Sequence, residues 1–234
     1  MSVLLSLETS TSVCSAALHE DGKLLANLES HIPQSASSKL AVMIDQLLKN
    51  ANILPDSIKG VVVSEGPGSY TGLRIGVATA KGICFTLNVP LLSINTLELM
   101  TYQVISSFTE EELSGELDEA LFCPMLDARR MEVYCLIADR KLNVLEQTNS
   151  KVIDELSFET WLAKKVIYFF GNGAIKCKSW ITHRNSRFIE DVIPLASKLG
   201  ELGYTKFKLN QFEDLSSFEP LYLKDFVAKK PKSA

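Results

Sequence analysis

Two stretches of this chain bring together residue types that can do chemistry. In Leu7-Glu8-Thr9-Ser10-Thr11-Ser12 four consecutive hydroxyls follow an acid. Such a connection can hold phosphate oxygens with side-chain O–H and backbone N–H groups, and it can equally satisfy its own turn. The second stretch, Gly66-Pro67-Gly68-Ser69-Tyr70-Thr71-Gly72-Leu73-Arg74-Ile75-Gly76, is a glycine-rich turn that runs into an apolar helix. A strand, a glycine turn and a helix N-terminus together present free N–H groups to an anion or to a partner. The spacing is neither that of a P-loop, which needs G-K-[ST], nor G-x-G-x-x-G, nor a G-x-S-x-G elbow around Ser69. No base accompanies Ser69, so a hydrolase reading has no support.

Two later turns join the candidates. Asp127-Ala128-Arg129-Arg130 can fix a loop, hold a phosphate or bind a partner carboxylate. Gly171-Asn172-Gly173-Ala174 follows an apolar run and suits either an adenosine or a plain β-to-α turn. The five cysteines (Cys14, Cys84, Cys123, Cys135, Cys177) are scattered without C-x-x-C spacing, which predicts reduced core residues. His19, His31 and His183 are dispersed, and no H-E-x-x-H or Cys/His cluster proposes a metal site.

The elements that must position these turns follow from periodicity. Val3–Leu7, Val13–His19 and Leu24–Glu29 read as three strands, with an Asp21-Gly22 turn between the last two. A helix from Ser37 to Ala51, a strand Ile58–Ser64, a helix Thr71–Leu87, a short strand Pro90–Ile94 and a helix opened by Asn95 complete the first half. Residues 107–118 are acidic and short of core residues, which predicts a linker between subdomains 1–106 and 119–234. Beyond it, Leu121–Leu126, Glu132–Ala138 and Leu142–Thr148 read as strands. Phe158–Leu162 reads as a helix, Val166–Phe170 and Ser186–Glu190 as strands, and Ile193–Leu202 as a helix able to pack back on the first subdomain. The predicted class is α/β: two mixed sheets, each opening with a three-strand meander and flanked by helices. The Lys229-Lys230-Pro231-Lys232 end is expected to be solvated.

Composition narrows the function classes. With 46 % hydrophobic residues, 22 % charged residues and a net charge of −4, the chain is an ordinary globular one with no overall attraction to nucleic acid. Its longest apolar runs are far short of a membrane span, and its first residues lack a basic signal-peptide start, so a cytoplasmic protein is expected. The helix Thr71–Leu87 is apolar around nearly its whole circumference, with only Arg74 and Lys81 charged. Such a helix is either wholly internal or packs one face on the sheet and the other on a partner chain.

Leu4–Ser12, the Gly66–Gly76 element, Asp127-Ala128-Arg129-Arg130-Met131-Glu132-Val133-Tyr134 and the closing Pro220-Leu221-Tyr222-Leu223 together resemble the TsaB (YeaZ) family. That family makes tRNA threonylcarbamoyladenosine and lies within the actin/Hsp70-like superfamily of RNase H-like subdomains. The resemblance covers nearly the whole chain. It implies a non-catalytic subunit that docks the metal-bearing paralogue TsaD, is joined by the ATPase TsaE, homodimerises when alone and meets tRNA only through the complex.

On this reading the docking surface is Leu40, Met43, Ile44 and Leu47 of the first helix with Gly72, Leu73, Arg74, Gly76, Val77, Ala80, Ile83 and Cys84 of the second. A vestigial nucleotide region comprises Thr9, Ser10, Thr11, Asp127, Arg129, Arg130, Gly171, Asn172 and Gly173, with no metal ligands and no catalytic residues. The chain has Glu8 where the family commonly has Asp, Ala36 where it commonly has His, and Asp127–Arg130 in place of a second glycine-rich phosphate loop. These departures argue against independent ATP hydrolysis, so ATP or ADP is expected only at an interface shared within the complex. The competing expectation is an autonomous ATPase or small-molecule kinase. A peptidase reading lacks any nucleophile or metal constellation.

Overall fold

The computed structural model describes residues 1–33, 36–115 and 117–224; the lysine-rich end at 229–232 lies outside them. Strands β1 (Val3–Glu8), β2 (Cys14–Glu20) and β3 (Lys23–Ser30) form an antiparallel meander. After α1 (Ala36–Ala51), β4 (Ile58–Gly66) pairs parallel with β1; after α2 (Tyr70–Leu87), β5 (Leu91–Asn95) pairs parallel with β4. The resulting order is β3-β2-β1-β4-β5.

The chain leaves through α3 (Thr96–Ile105) and α4 (Glu110–Ser114), the latter a short capped helix inside the stretch expected as a linker. A second sheet then repeats the plan. Strands β6 (Leu121–Asp127), β7 (Glu132–Asp139) and β8 (Val144–Val152) meander, and after α5 (Glu159–Leu162) β9 (Ile167–Phe170) joins β6 in parallel. After α6 (Ala174–Cys177), β10 (Ser186–Ile189) extends the sheet to β10-β9-β6-β7-β8. Finally α7 (Ala196–Lys208) returns to lie against β1 and β2 of the first sheet.

The sequence VLLSLE makes β1 a central strand because all six residues are buried and alternate between two covered faces. Leu5 and Leu7 join Val61 and Val63 in the core beneath α1 and α2. On the opposite face Leu4 joins Val62, Leu92 and Leu199 beneath α7. Asn95 opens α3 by accepting the Leu97 amide at 2.9 Å and the Glu98 amide at 3.4 Å.

Two elements differ from the sequence expectation. Strand β8 begins at Val144 and extends to Val152, because Asp139 folds 139–143 into a turn by accepting the Lys141 and Asn143 amides. Helix α7 starts at Ala196 and runs on to Lys208, beyond the expected Leu202. Tyr204 and Phe207 pack on the first sheet, and that packing overrides the weak helix propensity of Gly200 and Gly203.

Candidate functional site

The hydroxyl connection and the glycine turn, far apart in sequence, form one structure. Thr9 Oγ1 donates to the Gly72 carbonyl at 2.8 Å, and the Ser69 amide donates to the Ser10 carbonyl at 2.6 Å. A Cβ at Gly68 would lie 2.4 Å from the Ser10 carbonyl oxygen; at Gly72 it would lie 2.1 Å from that of Thr9, and at Gly76 2.3 Å from Thr9 Oγ1. These glycines therefore exist to let α2 press against the β1–β2 loop of its own chain. Ser69 caps the helix by accepting the Gly72 amide at 3.3 Å.

Glu8 closes β1 beneath this contact and is wholly buried. One oxygen, Oε1, accepts the Ser10 amide at 2.6 Å, and the buried hydroxyls of Ser10 and Ser64 lie beside the carboxylate. Burial pushes the Glu8 carboxyl above its ordinary range, against the pull of the Ser10 and Ser64 hydroxyls and the Ser10 amide.

Between the two sheets lies a cleft of about 1230 Å³. Ser10, Thr11, Ser12 and Ser69 line one side, and Asp127, Arg129, Arg130 and Asn172 line the other. The Asp127–Arg130 turn is held from behind. Asp127 accepts the Arg129 amide at 2.9 Å and pairs with Lys176, whose ammonium also donates to the carbonyls of Arg130 and Glu132 at 2.7 Å. Arg129 and Arg130 both adopt left-handed backbone, at φ 72° and 50°, and their side chains are exposed. Non-glycine residues in that region store strain, as functional turns often do. Hydroxyls facing two guanidinium groups across a half-open cleft suit an anionic ligand.

Three of the residues expected here do not reach the cleft. Thr9 is spent on Gly72. Gly171 and Gly173 pack against the backbone of Met125 and Leu126, where a Cβ would lie 2.5 Å from the Met125 oxygen and 2.8 Å from the Leu126 carbonyl carbon. Asn172 is the member of that turn that faces the site; it accepts the Asp127 amide at 2.9 Å. Sequence reasoning missed the aromatic lining of Tyr70, Tyr134 and Tyr222, and also Lys224. Tyr70, Tyr134 and Tyr222 stand in stretches that the motifs single out for other reasons, so only their convergence is hidden from the sequence.

Most residues of the expected docking surface face inward. Leu40, Met43, Ile44 and Leu47 of α1 and Gly72, Leu73, Gly76, Val77, Ala80 and Cys84 of α2 are all buried within the first subdomain. Ile83 is half-buried, and the exposed Arg74 lies over the Tyr70 ring, 4.9 Å from its centroid. Helical periodicity picks out the strongest apolar stripe, and in a globular domain that stripe is the core face. The exposed positions of α2 are Thr71, Arg74, Ala78, Gly82, Phe85 and Thr86, with Phe85 82 % exposed and open space at Gly82. On α1, Val42 is 53 % exposed.

A family model described as TsaD, tRNA N6-adenosine threonylcarbamoyltransferase, matches residues 31–168, more than half of the chain. The chain belongs to this family. Within it, the chain is similar to proteins named TsaB and to structures of YeaZ. The TsaB protein of Bacillus subtilis is 29 % identical over 144 residues, which are 62 % of this chain and 58 % of that protein. Two solved Pseudomonas aeruginosa structures, one described as YeaZ and one as similar to the peptidase YEAZ, superpose with TM-scores of 0.77 and 0.80. Each is 22 % identical; they cover 95 % and 96 % of this chain and all of their own, which establishes the fold. The chain spans about half the length of the curated relatives it matches.

The two mixed sheets with flanking helices are the TsaB architecture expected from the sequence. Among the described residues, no three or more His, Cys, Asp or Glu side chains are grouped to hold a metal, and no helix is long and apolar enough to cross a membrane. All five cysteines are free and buried.

Proposed function

We propose that this chain is a non-catalytic subunit of the assembly that installs threonylcarbamoyl on tRNA adenosine. In this role it docks a TsaD-type transferase through the outward faces of α2 and α1. The observation that carries the reading is α2 itself: an 18-residue helix that buries one stripe in its own core and leaves Ala78, open Gly82 and Phe85 facing out. Small residues beside one protruding aromatic let a second helix approach closely and supply an anchor. Relatives named for tRNA threonylcarbamoyladenosine biosynthesis support the assignment.

The same reading assigns homodimers of the free chain to this face, makes TsaE a further member of the assembly and brings tRNA to the chain only through the complex. A nucleotide phosphate is placed at the Arg129–Arg130 side of the cleft, at an interface shared with a partner.

The test is co-purification with the transferase of the same organism. Phe85→Asp and Gly82→Glu alter exposed groups and are expected to leave the circular dichroism unchanged while lowering capture at least about tenfold. Undiminished capture by both variants would remove this face from the interface. Steady ATP turnover by the purified chain alone would favour an autonomous ATPase instead.

A further inference from the structure

Beyond α7 the chain does not stop at the first sheet. It runs along the edge of β5, where the Glu213 amide donates to the Leu91 carbonyl at 2.9 Å, and then crosses to the α2 side. There Lys81 of α2 donates to the carbonyls of Ser216 at 3.2 Å and Phe218 at 3.1 Å. The Leu221 amide donates to the Glu65 carbonyl at 2.7 Å. Tyr222 lies on Tyr70 with centroids 4.9 Å apart, and Lys224 pairs with Glu132 of the second subdomain. The segment thus touches β5, α2 and β4 of one subdomain and β7 of the other, and Leu221–Lys224 line the cleft beside Cys14.

Two features mark this path as built and as weakly held. Gly66, the first glycine of the turn, has φ +112° and would place a Cβ 2.8 Å from the Leu221 oxygen, so the turn is shaped around the segment. Yet every residue from Gln211 to Lys224 is half-buried or exposed, and Leu215 and Phe218 pack only on the rim of the first core. Segments held by surface hydrogen bonds with few buried apolar contacts open well below the global unfolding free energy.

We propose that residues 213–224 form a releasable strap that closes one side of the interdomain cleft by tying α2 to β7, and that its release opens the cleft. Cys14 is a reporter inside the molecule. It lines the cleft at 2 % exposure, and burial, assisted by the nearby Glu8, pushes its thiol up to about 11, so it reacts slowly while the cleft is closed.

The experiment compares modification of Cys14 and Cys123 by a small thiol reagent, followed by mass spectrometry at one pH. The proteins are the full chain, Tyr222→Ala, Glu132→Gln and a chain ending at Pro220. Cys123 is fully buried in the second sheet's core and reports global unfolding. The strap predicts that Cys14 reacts at least about fivefold faster in the variants while Cys123 keeps its full-chain rate. An unchanged Cys14 rate overturns the proposal, as does a rise in Cys14 that merely tracks Cys123 in the two point variants. Neither thiol rate involves the transferase, so the strap stands or falls independently of the docking face.

Discussion

After β4 the chain turns through Gly66–Ser69 into a helix of 18 residues; after β9, at the equivalent place in the second sheet, it turns through Gly171–Gly173 into a helix of four. Both turns press on the loop or strand end beside the cleft, Thr9 and Ser10 in one half and Met125 and Leu126 in the other. What differs is the layer behind them. The long α2 covers its sheet and still has a face to spare, whereas α6 is too short to offer one. The second half keeps its exposed charge at the cleft instead, on the turn carrying Arg129 and Arg130. One sheet plan has thus been finished with a long helix that keeps an exposed face on one side and with a charged turn at the cleft on the other.

The largest expected effect breaks the comparison at its shared part. Gly72→Ala aims a methyl at a backbone oxygen 2.1 Å away, with no flexible side chain to yield. A loss of about 3 kcal/mol in urea unfolding is expected, with the β1–β2 loop displaced. The second-half counterpart, Gly173→Ala, meets its nearest atom at 2.8 Å and should lose only about 1–2 kcal/mol. Equal losses would mean that the two turns bear on their sheets alike and that the long helix adds no constraint.

A smaller effect separates the meanders. In β2, His19 stands opposite Leu4, whereas in β7 the residue opposite Phe122 is Ala138. The His19 ring is wholly buried beneath α7 and its Nε2–H donates to the Ser197 carbonyl at 2.9 Å, leaving Nδ1 without a partner. Burial lowers its pKa from 6.5, with Lys198 in the same direction and the Ser197 contact and Glu201 opposing. The folded ring is therefore neutral where the unfolded one takes a proton. The His19 contribution is complete above pH 6.5 and is lost as pH falls below it, by at most about 1.4 kcal/mol per pH unit. The raised Glu8 carboxyl works in the opposite sense, favouring the fold as pH falls, and is common to wild type and variant. Between pH 7.5 and 5.5 the urea midpoint of the native chain should thus fall further than that of His19→Gln; parallel falls would show that the ring does not titrate on unfolding.

The doubled α/β plan was legible because both meanders and both buried parallel strands carry period-two or continuous apolar runs. The cleft was legible in part: Ser10, Thr11, Asp127, Arg129, Arg130 and Asn172 meet there as their turn positions at strand ends required. Most residues expected at the docking surface turn inward for a physical reason. A helix's most hydrophobic stripe goes to its own core, so the exposed positions of α2, among them Arg74, Ala78, Gly82 and Phe85, lie outside the stripe that periodicity picks out. Nor did local pattern show that the motif glycines face Thr9 and Ser10, since that contact spans about sixty residues of sequence. The return of Tyr222 to Tyr70 is longer still.

The smallest effect sharpens the same distinction within a single helix. Gly82 lies on α2 ten residues beyond Gly72, and a Cβ there meets nothing within 4 Å. Its backbone is helical, so replacing it costs no conformational strain and removes the entropy that glycine loses on folding. Gly82→Ala should therefore raise stability by about 0.5–1 kcal/mol, opposite in sign to Gly72→Ala. A gain places Gly82 on a face with room for a partner and shows that its glycine is not needed by the isolated fold. A loss would mean that α2 packs there against something of its own chain, and the outward stripe would cease to be a surface.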